Sequence, residues 1–570
     1  MVKLRSVFLQ LLASVLALLL CSGTVWALDT DSSAGTSPLE PELGPAAARF
    51  IPDAAPLMVS LVGHSGPLKS LGDEAAGHSF QYTDLPAALL ATAGIDYRQD
   101  IRPWAGDELT FALTELGPGQ GPGYLLVLKA RNSRDANTFL EKFWQLQAEA
   151  GQSINFERYD GIDIISAQVS PQFAGADIPP LPHPWQPIQA LSTAKVDDRF
   201  VLVTNHHQVL EQALSTFNKP GSQLAKHADY KTAIATLNPT QSTSIAYLNL
   251  EKLIPALSGK PAGASATYKG LGVTFGESRQ GVWVETALIA NSDRQVPTVH
   301  TKPLEPTTAL SYFPGNSPLV VSGMDLGALW SQIDQDLQGY PALKAWVNTT
   351  LGAWGQTRGL SLTSQIFPLI DGNYAWALLP ESLSPVLSAQ PDAKADWLFA
   401  YEQTNSDHSQ QLTRYLNDLA TQQDLGTSPF ELAGRKVYAW TRLVSQEIDN
   451  TRGSNLTFKT EVTGAYANID DQKVLASSPE ALGLALEAGN GALSNQRSFQ
   501  DAIAPFDQPN QGFVYLDWPM MQPFLKQNLP IISKLEAHAQ TLTHKLRSIS
   551  VSSYGETPEV QHSKWYLRFG

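Results

Sequence analysis

The sequence predicts an α+β protein made of two tandem, internally duplicated domains, each a mainly antiparallel sheet with helices packed on one face. Three observations lead there. A set of residues recurs in one order at nearly constant separation. Short apolar strands meet through two-residue turns, the signature of antiparallel pairing. The helices between them carry a single apolar stripe, which suits packing against one sheet.

The recurrence is specific. Pro52, Pro56, Leu57, Val59 and Ser60 return at identical spacing as Pro314, Pro318, Leu319, Val321 and Ser322. Later, Tyr247, Leu248, Pro255 and Leu257 return as Tyr515, Leu516, Pro523 and Leu525. Between them, Asn132 and Asn405, Gly161 and Gly434, and Asp197 and Asp470 are each 273 residues apart. The opening anchors are offset by 262 and the closing ones by 268, so small insertions account for the drift.

The 570 residues exceed one hydrophobic core and suit two domains behind a leader. Residues 1–27 read as a signal peptide: Lys3 and Arg5 precede an apolar run, and Val25-Trp26-Ala27 offers a cleavage site after Ala27. The same run, residues 7–26, also has the length of an uncleaved anchor and is available as a membrane tether. Residues 28–48 read as a flexible linker, 49–290 as the first α+β repeat domain, 291–309 as a Pro-rich linker and 310–570 as the second repeat domain.

Within the first repeat, Leu125-Leu126-Val127-Leu128 is a strand, and Asn132 caps a helix over 135–148 whose stripe is Phe139, Phe143 and Leu146. Strands around 155–157 and 163–167 turn on Asp160-Gly161, and a hairpin from 192–196 to 200–204 turns on Asp197-Asp198. A helix over 209–217 follows, then a strand over 244–250 whose Asn249 caps the next helix, as Asp517 does in the second repeat. Each repeat closes with two long strands, placed with turns at Gly276-Glu277 and Gly555-Glu556. A surface helix is expected over 520–546.

One loop separates the repeats. Residues 170–189 carry six prolines, among them Pro180 and Pro182, together with Trp185; the equivalent stretch, 445–459, reads as polar loop without proline. A stiff proline-rich segment orders at small entropic cost, which makes Trp185, Pro180 and Pro182 a candidate interaction loop. The plainer reading is a loop that packs over its own domain.

These elements resemble the domain-of-unknown-function 3352 family. The resemblance rests on the opening from Phe50 to Leu57, the stretch from Pro103 to Glu108, the strand and helix from Leu125 to Trp144, the turn Tyr159-Asp160-Gly161, and Val196-Asp197-Asp198. It implies exported or membrane-anchored proteins, largely cyanobacterial, with no assigned activity and so no catalytic residues. The second repeat departs at Asp371-Gly372-Asn373, where Gly106-Asp107-Glu108 would be matched.

Chemistry is sparse in the sequence. The single cysteine, Cys21, leaves with a cleaved leader, excluding thiolate catalysis, cysteine-bound zinc and disulfides from the mature chain. The net charge of −15, becoming −17 without Lys3 and Arg5, disfavours nucleic acid. His206-His207 and the six-apart His538 and His544 match no metal-helix spacing. Gly63-His64-Ser65-Gly66 runs into Pro67, and the glycine run 117–123 lacks the Lys-Ser/Thr ending of a phosphate loop. Asp107 and Glu108 remain as a candidate acidic pair for calcium or acid–base chemistry, with a tight turn as the structural explanation. No catalytic residue, cofactor or metal is assigned. The expectation is a non-enzymatic scaffold or binding module, periplasmic or luminal, with an unknown protein partner or apolar ligand. The alternative is a carrier of lipid or another apolar small molecule, its cavity lined by Tyr374, Trp376, Trp397 and Phe399. A third reading is a hydrolase using the acidic pair.

Overall fold

The computed structural model describes residues 44–62, 90–91, 93–115, 122–168, 188, 190–237, 242–253, 268–278, 280–291, 308–337, 361–379, 396–450, 453–507, 510, 512–528, 540–557 and 559–570. The leader 1–27 and the loop residues Trp185, Pro180 and Pro182 lie outside the described residues. So do most of both linkers, the run beginning at Gly63, and His538. Helices and antiparallel strands form two compact units, one drawn from Lys3–Val296 with Thr557–His562, the other from Pro297–Glu556 with Ser563–Gly570.

The N-terminal unit holds β1 (Leu57–Val62), β2 (Ala105–Glu115), β3 (Pro122–Ala130), β4 (Asn155–Tyr159), β5 (Ile162–Gln168), β6 (Ala190–Val196), β7 (Phe200–Thr204), β8 (Ser244–Asn249), β9 (Tyr268–Ser278) and β10 (Gly281–Ala290). Their order is β4-β5-β6-β7-β3-β2-β1-β8-β9-β10, every neighbour antiparallel. Local turn chemistry sets the hairpins. Asp160 (φ 46°) and Gly161 (φ 83°) are both left-handed, as a two-residue turn with right-handed strand twist requires. Asp197 and Asp198 (φ 54° and 51°) make the next turn, a conformation aspartate tolerates better than most residues.

Helix α1 (Ser133–Glu149) starts where Asn132 Oδ1 accepts the amides of Arg134 and Asp135 at 3.0 and 3.3 Å. Helices α2 (His207–Asn218) and α3 (Ala228–Leu237) bury Val209, Leu210, Leu214, Ala233, Ile234 and Leu237 against Met58, Leu125, Val127, Leu202 and Ile245. Helix α1 lies on the opposite face: Trp144 Nε1 donates to Thr193 Oγ1 at 2.9 Å, and Thr193 aligns with Val203 and Leu126, not with Leu202 and Val127.

Helices therefore cover both faces, which corrects the expectation of one. All of β1 and all of β7 are buried, so each strand carries apolar side chains on both sides and needs two covers. The continuous run Leu125–Leu128 carried that signal, and an alternating strand would not have.

The C-terminal unit holds β11 (Leu319–Met324), β12 (Asn373–Leu378), β13 (Trp397–Glu402), β14 (Gly426–Leu432), β15 (Arg435–Asn450), β16 (Gly453–Ile469), β17 (Gln472–Ala476), β18 (Phe513–Asp517), β19 (Leu546–Thr557) up to Glu556, and β20 (Val560–Phe569) from Ser563 onward. The order runs β14-β15-β16-β17-β13-β12-β11-β18-β19, with β20 beside β19. Helices α4 (Leu326–Leu337), α5 (Ser406–Gln422), α6 (Pro479–Glu487), α7 (Arg497–Ile503), α8 (Trp518–Asn528) and α9 (Gln540–Lys545) complete it. Asn405 caps α5 through Oδ1, accepting from Asp407 and His408 at 3.0 and 3.3 Å. Leu412 of α5 packs with Tyr374 and Tyr401 on one face, and Phe499 of α7 meets Phe513 and Tyr515 on the other.

Four further expectations change. The surface helix over 520–546 is seen as α8 and α9, with 529–539 outside the described residues. The first linker ends early: Ala46–Arg49 form a 3-10 turn whose Ala47 and Ala48 enter the core, because small side chains fit where the chain meets β2. Gly276 sits inside the β9–β10 ladder opposite Trp283, and Gly555 inside β19, so both turns fall later. A Cβ at Gly276 would lie 1.8 Å from the Trp283 ring, so glycine there makes room for indole and not for a bend. Finally, 445–459 is no loop: β15 and β16 stay paired out to Asn450 and Gly453. Val437, Tyr438, Trp440, Val444 and Ile448 favour a pleated strand, a preference that overrides the polar residues between them.

Candidate functional site

The acidic pair occupies the irregular start of β2, where the register to β3 slips between Ala105 and Leu109. Its two carboxylates serve different partners. Asp107 Oδ1 lies 3.1 Å from Lys129 Nζ, both side chains about a third exposed. Glu108 is buried, its Oε1 accepting the Ala47 amide at 2.7 Å and its Oε2 the Ala46 amide at 3.2 Å. Burial pushes the Glu108 carboxyl above its ordinary value; the two amides and Lys129 pull it back, and Asp107 adds to the rise. Beside it, the Tyr230 hydroxyl is pushed strongly upward by burial and then by the Glu108 charge. Next along the strand, Thr110 Oγ1 and Ser60 Oγ share a buried hydrogen bond of 2.7 Å. This arrangement fastens the Ala46–Arg49 turn to the sheet. Neither carboxylate is aimed with the other at a common ligand.

The aromatic set named for a carrier packs into the C-terminal unit's sheet. Tyr374 and Tyr401 are buried with Leu412, Tyr466 and Leu475, and the half-buried Trp397 and Phe399 pack against them. Trp376 packs with Leu378 and Met521. In the N-terminal unit, an apolar cavity lined by Phe111, Tyr124, Leu126 and Val203 measures about 20 Å³, room for about one water and far below an acyl chain.

Among the described residues, the β15–β16 ribbon presents two of the three most exposed large apolar side chains, the third being Phe156 of β4 at 72 %. Leu443 is 74 % exposed and Phe458 is 73 % exposed. Leu443 pairs with Thr460 and Ser445 with Phe458, so the two apolar side chains are diagonal neighbours on one face. On the other face Arg442 Nε and Nη2 both reach Glu461 Oε2 at 2.7 Å, which fixes the register where the ribbon leaves the sheet. Sequence reasoning missed these residues because it took 445–459 for a loop; the β-branched and aromatic residues Val437, Tyr438, Trp440, Val444 and Ile448 were the available signal.

Among the described residues, no helix is long and apolar enough to cross a membrane. No curated protein matches the chain. Solved structures of TP0453 are similar at a low level. Its crystal form IV gives 10 % identity over 45 % of this chain and 81 % of that one, with a TM-score of 0.22. Its crystal form III gives 10 % identity over 46 % and 82 %, with a TM-score of 0.24. Superposition at that level carries no argument about fold or role. The model of the family described as "Protein of unknown function (DUF3352)" matches residues 11–569, and the chain belongs to that family.

Proposed function

We propose that this chain is an exported, non-enzymatic binding module of the cell envelope, built by duplicating one domain, that engages a protein partner through the Leu443–Phe458 face of its ribbon. The observation that carries the reading is that pair of apolar side chains, each about three-quarters exposed on one face of a paired two-stranded ribbon. An exposed apolar patch on a hydrogen-bonded strand pair is a ready contact surface. The ribbon is also net basic in an acidic protein: residues 435–469 contain five Lys or Arg against three Asp or Glu, in a chain of net charge −15. The fitting partner is a protein with an apolar groove rimmed by acidic side chains.

Duplication over 49–290 and 310–570 is supported by correspondence of detail. Both units run outward from a central strand, β1 or β11, in the same strand order. Pro52 bridges Gln223 as Pro314 bridges Ala492. Asn132 and Asn405 make the same two capping bonds, and Asn249 and Asp517 each cap a helix with bonds of 3.3 and 3.0 Å. By that correspondence the ribbon stands where the first unit has its proline-rich loop, so one position in the design serves as the variable contact element.

A photo-reactive benzoylphenylalanine at position 458 tests the surface. The full chain, exposed to envelope extract, should give one discrete adduct that unlabelled protein competes away and Leu443→Arg abolishes. An adduct that is not competed, or that survives Leu443→Arg with circular dichroism unchanged, removes the proposal. Export is tested by the mass of the mature protein, which should begin at Leu28.

A further inference from the structure

At the edge of the N-terminal unit, three side chains from two elements converge. His207 opens α2, and Glu211 follows one turn later on the same face. Glu157 reaches them from β4. His207 Nε2 lies 3.2 Å from Glu157 Oε2 and 3.5 Å from Glu211 Oε1. One ligand atom from each residue falls within 4.8 Å of the others. The side chains are between about a third and a half exposed, at 30 %, 47 % and 35 % for His207, Glu157 and Glu211, so the cluster opens to solvent.

We infer that Glu157, His207 and Glu211 form a divalent-cation site whose best-fitting ion is Zn²⁺. The distances decide between ions. Zinc bound to imidazole nitrogen and carboxylate oxygen at about 2.0–2.2 Å in a tetrahedron sets neighbouring ligand atoms about 3.3–3.5 Å apart. The two contacts made by Nε2 match that edge, and only the carboxylate–carboxylate edge has to close. Calcium and magnesium take oxygen donors, whereas an imidazole nitrogen among the ligands suits zinc. A dication also neutralises two carboxylates that otherwise share one imidazole. Solvent supplies the fourth ligand. The His207 Nδ1 atom is buried without a hydrogen-bond partner, so nothing holds the ring in its metal-binding tautomer. The site is accordingly weaker than a structural zinc centre with a full outer shell.

The test is isothermal titration calorimetry of Zn²⁺ into the full chain. The protein has 11 histidines, so the comparison between variants, and not binding alone, is the readout. The wild type should show one tightest site, and Glu211→Gln and His207→Gln should each weaken it by about 100-fold. Glu157→Gln, on a strand and away from the helix start, guards against a folding defect and should do the same with circular dichroism unchanged. Zinc should raise the melting temperature of the wild type and leave that of the variants in place. If no saturable site is found, or if it survives all three substitutions, the cluster is an ordinary His–Glu contact and the inference fails.

Discussion

Removing the Glu108 carboxylate tests whether it serves the fold. In Glu108→Ala, the Ala47 amide loses a 2.7 Å bond in a buried position, and the Ala46 amide loses one of 3.2 Å where water has partial access. A buried N–H left without its charged acceptor costs about 2–3 kcal/mol, and the half-exposed one about 1 kcal/mol or less. Against this stands relief from burying a carboxylate, the largest cause of its raised pKa. The net expectation is a loss of about 2 kcal/mol, or about 4–8 °C in melting temperature for a unit of this size. Differential scanning calorimetry of the full chain reads it as a downward shift of one transition. The pH dependence has a fixed sign. Because the folded state holds the proton more tightly than the unfolded state, the proton-linked part of the Glu108 contribution is fully present below 4.5 and is lost as pH rises through the higher folded-state value. Glu108→Gln should remove that falling component. A melting temperature within 1 °C of wild type for Glu108→Ala, a bound of about 0.5 kcal/mol, would refute this account of the site. The neighbouring Asp107→Asn breaks a pair only about a third exposed and should cost less than about 1 kcal/mol.

Asn132→Ala and Asn405→Ala each delete a cap accepting two amides and should each cost about 1 kcal/mol by denaturant titration. Gly276→Ala places a methyl 1.8 Å from the Trp283 ring and should destabilise by at least about 1–3 kcal/mol, visible as altered tryptophan fluorescence. Burial lowers Lys473 to about 8, although its ammonium meets Thr413 Oγ1 and the Tyr466 ring. The folded state therefore sheds this proton before the unfolded state, and wild-type stability falls as pH drops from about 10.5 to about 8. Lys473→Met should be about 1–2 kcal/mol more stable than wild type at pH 7, the gap closing towards pH 10; equal stabilities at pH 7 would contradict the assigned cause.

Local chemistry made some elements legible in the sequence. Asn132 and Asn405 name helix starts because a short amide side chain at that position satisfies amides the helix leaves open. Asp160-Gly161 and Asp197-Asp198 name turns because few residues accept left-handed backbone. Other positions were misread where a partner distant in the chain decides the role. Gly276 looks like a turn residue until Trp283 lies across it. Glu108 looks like half of an acidic pair until Ala46 and Ala47, some 60 residues earlier, bring their amides to it.

By itself, then, the sequence determined the family, the antiparallel mixed fold, the caps and the turns at Asp160-Gly161 and Asp197-Asp198, all of which depend on neighbouring residues or recurring order. Tertiary structure alone decided the seating of Ala46 and Ala47 on Glu108, the indole of Trp283 across Gly276, and the meeting of Glu157 with His207. These depend on which faces are already covered and which strands lie side by side, and pairings between residues far apart in the chain leave no local periodicity to read.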